Sequence, residues 1–281
     1  MRLIRWETRP SLPKSNRGEV VVANRIKQLW DQGKPVLNGW LAIPNAFAAE
    51  VMAQAGFDSL TVDLQHGIQD YMSMVACFQG MQGVADPGVL PMVRVPWNEP
   101  GIIGKVADAG AYGVICPMVN TRAEAEALVS AMRYPPMGKR SNGPIRAGIY
   151  GVYGSAGRYQ DTANDEVLCI PMIETQEAID NLDAILEVPG IDCVYIGPSD
   201  LAFSRGGVPV LDQEGQEALD TYQHVLDTAK KHGVRAGIHC GKPDYAVRMI
   251  AMGFNLVTIA NDSALILTGA QDGVRTVRGR T

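Results

Sequence analysis

The sequence lacks several features that would assign it to common protein classes. None of its 5 cysteines belongs to a C-x-x-C pair, and their odd number argues against a disulfide framework. No run of about 18 apolar residues is present, so we expect no membrane span. Lys and Arg (25) are fewer than Asp and Glu (30), which gives a net charge of −5 and no basic surface for nucleic acid. The charged N-terminus has no apolar stretch typical of a signal peptide, so we expect a cytoplasmic protein with buried thiols.

What the sequence does contain is a repeated alternation of short apolar runs and longer stretches with helical spacing along its 281 residues. The runs are rich in Val, Ile and Leu, as is typical of strands that are buried on both faces. The eight runs are Val36–Ala42, Ser59–Asp63, Leu90–Val95, Gly113–Met118, Val167–Ile173, Cys193–Gly197, Arg235–His239 and Leu256–Ala260. This alternation predicts an α/β protein with a single (β/α)₈ TIM barrel domain over residues 21–281. A doubly wound open sheet is the alternative, but no G-x-G-x-x-G follows the first run.

Two segments depart from this alternation. Residues 1–20 carry mixed charge and two prolines, which predicts an irregular N-terminal arm, and a helix is expected to follow over Val21–Gln32. After the fourth strand, the segment from Arg133 to Asp165 contains three prolines and six glycines. We expect a long loop there, and a loop of such length inside a compact domain usually carries function or acts as a lid.

Polar and ionisable side chains concentrate at the predicted C-terminal ends of the strands, where the active sites of (β/α)₈ barrels lie. Elsewhere the runs are nearly free of ionisable residues. The candidates are Trp40, Asp63, His66, Arg94, Glu174, Gly197, Pro198, Ser199, Asp200 and His239. A charge buried at the mouth of an apolar barrel costs several kcal/mol unless it is paired or bound to a metal. This cost indicates that the charged candidates have a partner or a function.

Glu174 and Asp200 are candidate metal ligands because they end adjacent strands, which lie roughly 4.8 Å apart in a sheet. Two such carboxylates repel each other, and a hard divalent cation such as Mg²⁺ or Mn²⁺ would relieve that repulsion. The alternative is that one of them pairs with Arg94 or caps the following helix. Gly197, Ser199 and Asp200 could also direct backbone N–H groups at an anion, although G-P-S-D is equally an ordinary turn.

Three further side chains predict acid–base or oxyanion chemistry. Asp63 and His66 lie three residues apart, and a carboxylate can orient an imidazole for proton transfer. Arg94 lies inside an apolar run and needs an anion, which is either a carboxylate at the barrel mouth or a substrate carbonyl oxygen that develops charge. Trp40 either roofs the pocket or belongs to the core.

On these residues the sequence resembles the HpcH/HpaI aldolase/citrate lyase family over about residues 36–265. The matching segments are Ala55-Gly56-Phe57-Asp58 leading to Asp63-x-x-His66, Val93-Arg94-Val95-Pro96, Arg133-Tyr134-Pro135-Pro136-x-Gly138-x-Arg140, Ile173-Glu174-Thr175 and Ile196-Gly197-Pro198-Ser199-Asp200-Leu201. No single segment is specific, but several in this order are a strong signal.

The resemblance implies a class II pyruvate aldolase, which uses a divalent metal to cleave 2-keto-4-hydroxy acids to pyruvate and an aldehyde through an enolate. It implies that Glu174 and Asp200 bind the metal, that Arg94 contacts the keto oxygen, and that His66, supported by Asp63, transfers a proton. Backbone groups of residues 197–200 would receive the pyruvate carboxylate. The resemblance also implies a homo-oligomer, a trimer or a hexamer, in which neighbours exchange a C-terminal helix.

The sequence departs from the family pattern in three places, one of which is the segment after Arg140, where Ser-Asn-Gly stands instead of Gly-x-Gly. Leu64 and Gln65 precede His66 where the bacterial aldolases commonly have an acidic residue. His239 stands where they often have an apolar residue, so it could touch the aldehyde. The alternatives are an oxaloacetate decarboxylase similar to macrophomate synthase, a lyase acting on a CoA thioester, and a non-catalytic barrel that binds a keto acid. A Schiff-base aldolase is disfavoured because none of the eight lysines ends a predicted strand on the inside.

Overall fold

The computed structural model describes residues 24–82, 88–149 and 158–280, and within them parallel strands close into a barrel in chain order. The strands are β1 (Val36–Leu41), β2 (Ser59–Asp63), β3 (Leu90–Arg94), β4 (Gly113–Cys116), β5 (Leu168–Ile173), β6 (Cys193–Ile196), β7 (Arg235–Cys240) and β8 (Leu256–Ile259). β8 pairs with β1, which closes the sheet and excludes the doubly wound alternative. The prediction of a (β/α)₈ barrel is confirmed.

Helices follow the strands in the alternation that the sequence predicts. The helices in the described residues are α1 (Arg25–Asp31), α2 (Ala46–Ala53), α3 (Tyr71–Met81), α4 (Pro100–Asp108), α5 (Arg122–Met132), α6 (Ile145–Ile149), α7 (Tyr159–Glu166), α8 (Gln176–Asp180), α9 (Leu182–Leu186), α10 (Pro198–Ser204), α11 (Gln216–Lys231), α12 (Pro243–Met252) and α13 (Asp262–Arg278). Several of their starts carry side-chain caps. Thr121 and Glu124 form the capping box predicted for α5, and Glu99 caps α4 ahead of Pro100.

The predictions for the N-terminal segment and for the segment after β4 have different outcomes. The N-terminal arm, residues 1–20, lies outside the described residues, and of the predicted helix Val21–Gln32 the described part forms α1 after an Asn24 cap. The segment from Arg133 to Asp165 is not a plain loop, because α6 and most of α7 lie within it. Arg140 anchors this segment: its guanidinium carbon lies 4.6 Å from the Tyr134 ring centroid, and its Nη2 bonds Asp108 at 2.6 Å. A buried, ion-paired side chain gives local order that composition alone does not predict.

The strands separate two apolar layers. Along β5, Ile170 and Met172 belong to a cluster inside the barrel, whereas Cys169 and Ile173 belong to the larger cluster between strands and helices. The other strands alternate in the same way, because successive side chains of a strand point to opposite faces. The barrel interior is therefore a packed core, and the open space lies above it at the C-terminal ends of the strands.

Two expectations drawn from absences can be compared with the fold. All five cysteines are free and buried, as predicted. In the part of the chain that the structure describes, no helix has both the length and the apolar character needed to cross a membrane.

Candidate active site

A cavity of about 260 Å³ opens at the C-terminal end of the barrel. It is lined by Trp40, Ala42, Asp63, His66, Arg94, Met172, Gly197, Ser199, Asp200, Leu211, His239 and Asn261. The structure thus brings together most of the side chains that the sequence singled out. Pro198 is buried at the start of α10 and does not line this cavity, and Glu174 lies behind its wall, 2% exposed.

The alternation along each strand explains why these side chains converge. Met172 faces the barrel interior, so Glu174 is the next inward position after β5. Met92 faces the interior in β3, which makes Arg94 the inward residue at its end. In the β2–β3 register Asp63 lies directly opposite Arg94. Strand geometry alone therefore brings a carboxylate and a guanidinium together at the mouth.

Asp63 and Arg94 form a bidentate pair. Arg94 Nε donates to Asp63 Oδ1 at 2.9 Å and Arg94 Nη2 donates to Oδ2 at 2.6 Å. Trp40 Nε1 adds a third bond to Oδ2 at 3.1 Å. Burial pushes the pKa of Asp63 upward, but the hydrogen bonds and charge of Arg94 and the bond from Trp40 outweigh it, so the pKa lies below its usual value. This carboxylate stays ionised and holds the guanidinium in one orientation.

The predicted support of the His66 imidazole by Asp63 is wrong in its geometry. Asp63 Oδ1 accepts the backbone N–H groups of Gln65 at 3.0 Å and His66 at 3.2 Å, and within the described chain no hydrogen bond joins the imidazole to this carboxylate. Arg94 and Trp40 occupy the carboxylate instead. Asp63 therefore fixes the turn after β2, and the exposed His66 side chain borders the cavity. Among the described residues Arg94 forms an ion pair with Asp63 and none with Glu174, so the alternative of an Arg94–Glu174 pair is excluded.

Trp40 serves as both wall and core, so the two interpretations of this residue are not exclusive. It is 2% exposed and belongs to the cluster inside the barrel, yet it lines the cavity. The Arg94 guanidinium carbon lies 5.0 Å from the centroid of its ring, close enough for a cation–π contact. Trp40 thus holds Arg94 from one side while Asp63 binds it from another.

Glu174 is buried with little compensation. Its Oε1 accepts the backbone N–H of Met118 at 2.8 Å, and no Lys, Arg or His among the described residues lies within ion-pair distance of it. Burial raises the pKa of Glu174 to about 7; the Met118 bond and the charge of Arg94 oppose this rise, and the nearby charge of Asp200 adds to it. A carboxylate in this position favours the approach of a cation.

Met118 and Gly197 shape this position, and sequence reasoning did not assign either role. Met118 has a φ of 55°, a left-handed conformation, just after β4, and it contributes only its backbone, for which no residue type is a signal. Gly197 leaves room for the carboxylate, because an added Cβ would collide with Glu174 Oε2 and approach Met172 Cε to 3.0 Å. The sequence contains the glycine of Gly-Pro-Ser-Asp, but it does not show that Glu174 lies against this glycine.

The donor set fits a hard divalent cation. Glu174 and Asp200 offer oxygen atoms only, one from a buried carboxylate and one from an exposed carboxylate in the first turn of α10. Across the described ranges, no three His, Cys, Asp or Glu side chains converge into a complete metal site. Two side-chain ligands would leave several coordination positions open to water or to a chelating molecule.

Known proteins resemble this chain in sequence and in fold. The profile of the family "HpcH/HpaI aldolase/citrate lyase" matches residues 38–268. A hydroxypyruvate/pyruvate aldolase of Rhizorhabdus wittichii is 41% identical over 255 residues, which cover 91% of this chain and 99% of that protein. A 4-hydroxy-2-oxovalerate aldolase of Rhodococcus jostii is 38% identical over 245 residues, 86% of this chain and 92% of that protein. A solved HpcH/HpaI family protein from Burkholderia cenocepacia superimposes with a TM-score of 0.82 at 29% identity, covering 91% of this chain and 99% of that one. The chain therefore belongs to the HpcH/HpaI aldolase/citrate lyase family.

Proposed function

We propose that this chain is a class II, divalent-metal-dependent aldolase that reversibly cleaves 2-keto-4-hydroxy acids to pyruvate and an aldehyde. Family membership and the aldolase relatives support carbon–carbon lyase chemistry. The observation that carries the metal dependence is Glu174, a buried carboxylate near the charge of Asp200 that has one backbone N–H bond and no ion-pair partner among the described residues.

Glu174 and Asp200 would hold the ion, Mg²⁺ or Mn²⁺. When bound, a divalent ion supplies Lewis-acid stabilisation of the enolate oxygen and a template for the keto acid. The backbone N–H groups of Ser199 and Asp200, in the first turn of α10, lie beside this position and would receive the pyruvate carboxylate. Pro198 has no N–H and contributes only the direction in which the helix starts.

Arg94 is the group that would stabilise negative charge on the keto oxygen. Its Nε and Nη2 are held by Asp63, and its Nη1 makes no hydrogen bond in the described part of the chain. Because Arg94 lines the cavity, that remaining donor is available to a substrate oxygen. A guanidinium that is already oriented needs no reorganisation as charge develops during the reaction.

His66 would move the proton, either directly or through a water molecule. It borders the cavity on a turn whose backbone is fixed by Asp63, and its ring makes no hydrogen bond to another side chain in the described residues. Trp40 and His239, on β1 and β7, face the remaining part of the cavity and would contact the aldehyde half of the substrate.

Removal and return of the metal test this proposal. Pyruvate release from a 4-hydroxy-2-keto acid, followed with a coupled dehydrogenase, should stop after chelation and return when Mg²⁺ or Mn²⁺ is added. Full activity after exhaustive chelation, or a pyruvate adduct that borohydride traps on a lysine, would contradict it. Metal-loaded protein that binds pyruvate but never exchanges the methyl protons for deuterium would be a keto-acid-binding barrel instead.

A homo-oligomer, a trimer or a hexamer, belongs to the same proposal. The C-terminal helix α13 exposes a set of large apolar side chains, namely Leu265, Ile266, Leu267, Val274 and Val277. Exposed apolar surface of this kind is typical of subunit contacts. Light scattering should give three or six times the mass of the chain, and a monomer at micromolar concentration would contradict the prediction.

A further inference from the structure

His239 is a polar side chain on the part of the cavity wall that β7 contributes. It lies at an inward position of β7, and its ring centroid is 4.8 Å from that of Trp40 in an edge-on arrangement. The proposed metal ligands follow β5 and β6, whereas His239 and Trp40 come from β7 and β1. Because β7 pairs with β6, His239 lies beside the strand that Asp200 follows, and a keto acid held at the carboxylates would extend past it.

A buried hydrogen-bond network fixes the ring of His239 from below. Tyr195 Oη lies 3.3 Å from His239 Nδ1 and donates its own proton to Thr258 Oγ1 at 2.6 Å. Thr258 Oγ1 also accepts from Asn38 Nδ2 at 2.8 Å. Because Tyr195 gives its proton to Thr258, its oxygen remains as an acceptor for His239. The neutral imidazole therefore carries its proton on Nδ1 and leaves Nε2 bare.

The bare nitrogen faces the cavity. Nε2 makes no hydrogen bond with any described residue and is not sealed from solvent, and His239 lines the cavity. Burial lowers the pKa of His239 to about 4; the charge of Arg94 lowers it further, and Asp63 opposes this effect. The ring is thus neutral near pH 7 and offers a lone pair. It suits a hydrogen-bond donor and repels a carboxylate or phosphate.

We propose that Nε2 of His239 accepts a hydrogen bond from a hydroxyl group on the aldehyde half of the substrate, so that the enzyme selects 2-hydroxyaldehydes over unsubstituted aldehydes of the same size. This inference rests on the proposed aldolase function and names the chemistry of the substrate that it uses. An alkyl group at this point would leave Nε2 without a partner once water is expelled. Sites built to bond a hydroxyl reject the analogue that lacks it for this reason.

The test compares two aldehydes that differ by one group. With pyruvate and Mg²⁺, kcat/KM is measured for glycolaldehyde and for propionaldehyde, in which a methyl group replaces the hydroxyl. The wild type should prefer glycolaldehyde, and His239→Leu should reduce the ratio by roughly 10-fold. His239→Gln should recover part of the ratio, because its carboxamide oxygen is again an acceptor. His224→Leu, the same change at an exposed position of α11, is the matched control and should keep the wild-type ratio.

The orientation of His239 is tested separately through Tyr195, its positioning residue. A long-range ¹H–¹⁵N spectrum of the ring should show the proton on Nδ1 in the wild type. Tyr195→Phe removes the acceptor and should give a mixture of tautomers with an intermediate aldehyde ratio. A wild-type spectrum with the proton on Nε2 would overturn the proposed acceptor.

Failure of the aldolase function and failure of the role of His239 alone would give different results. A metal-loaded wild type that forms no product with either aldehyde, and does not exchange the methyl protons of pyruvate, refutes the aldolase function and the role of His239 with it. An active wild type whose aldehyde ratio does not change in His239→Leu overturns the role of His239 alone. That second result is expected if His239 acts on the 4-hydroxyl that every substrate shares, because both rates would then fall together.

Discussion

Two buried carboxylates at the mouth of the barrel behave in opposite ways. Asp63 is 3% exposed and Glu174 is 2% exposed, so burial opposes ionisation of both. Asp63 receives two bonds from Arg94 and one from Trp40, and its pKa is lowered. Glu174 has one backbone N–H and faces a second acidic residue, and its pKa is raised to about 7.

The difference shows that burial alone does not identify a reactive carboxylate. Asp63 pairs with Arg94, and this pairing holds the guanidinium in one orientation. Glu174 has no ion-pair partner among the described residues, so the proposed function places a cation beside it. In a barrel whose strand ends carry many charges, the unpaired member of the set indicates where an ion or ligand binds.

The largest effect should come from removing the unpaired charges. Glu174→Gln and Asp200→Asn should each reduce metal-dependent turnover by roughly 10³-fold or more, because several kcal/mol of charge stabilisation are lost. Mn²⁺ binding, measured by calorimetry, should weaken in parallel, while circular dichroism shows a folded barrel. Glu177→Gln, an exposed glutamate three residues away on α8, is the control. Activity near wild type in both variants would remove the metal assignment.

Substitution of the two carboxylates should change the free energy of unfolding in opposite directions. In chelated protein at pH 8, Asp63→Asn should lower the free energy of unfolding by about 3 kcal/mol, because it leaves the Arg94 guanidinium buried without its partner. Glu174→Gln should raise that free energy by on the order of 1 kcal/mol, because a poorly compensated buried charge is removed. Urea unfolding measures both. Changes of the same sign would show that the two environments are equivalent.

The space beside Glu174 can be tested without changing any charge. Gly197→Ala should weaken metal binding roughly 10- to 100-fold, the range typical of changes that disturb ligand orientation, since the new Cβ displaces the Glu174 carboxylate. Gly104→Ala, where a Cβ meets no atom within 4 Å, is the control for the same substitution. Equal metal affinity in the two variants would show that the space beside Gly197 is not needed to place the Glu174 carboxylate.

The last prediction concerns the stability that is lost at low pH because His239 resists protonation beside the Asp63–Arg94 pair. The pKa of His239 is about 4 in the folded protein and about 6.5 in the unfolded protein. The contribution of His239 to the free energy of unfolding is therefore fully present above pH 6.5 and is lost as the pH falls toward 4. Between pH 7 and pH 5 the wild type should therefore lose roughly 2 kcal/mol more stability than His239→Leu. His224→Leu should follow the wild type, and parallel losses in all three proteins would contradict the assignment.

The barrel could be predicted because its signals are local. Each strand is a short apolar run, and the predicted and observed strands agree closely: Ser59–Asp63 is identical, and Leu90–Val95 is observed as Leu90–Arg94. The inward side chains follow from the same period-two alternation. The convergence of Arg94, Asp200 and His239 on one cavity was therefore accessible before the structure.

The partners of these side chains were not accessible, because they depend on register and backbone. Asp63 is three residues from His66 along the chain but directly opposite Arg94 across the sheet, and only strand register shows the second relation. The bond to Glu174 comes from the backbone of Met118, which no residue pattern encodes. Arg140 orders its segment through contacts with residues distant in sequence, such as Asp108.

The contact between the segment after β1 and the start of α13 determines when the pocket can form. The carboxylate of Asp262, 1% exposed at the start of α13, accepts the backbone N–H groups of Ala42 at 2.9 Å and Ile43 at 3.1 Å, just beyond β1. The wall that carries Trp40 is thus completed by a residue near the end of the chain. Because β8 and Asp262 follow all the other strands in the chain, a nascent polypeptide lacks these contacts until this region has emerged from the ribosome.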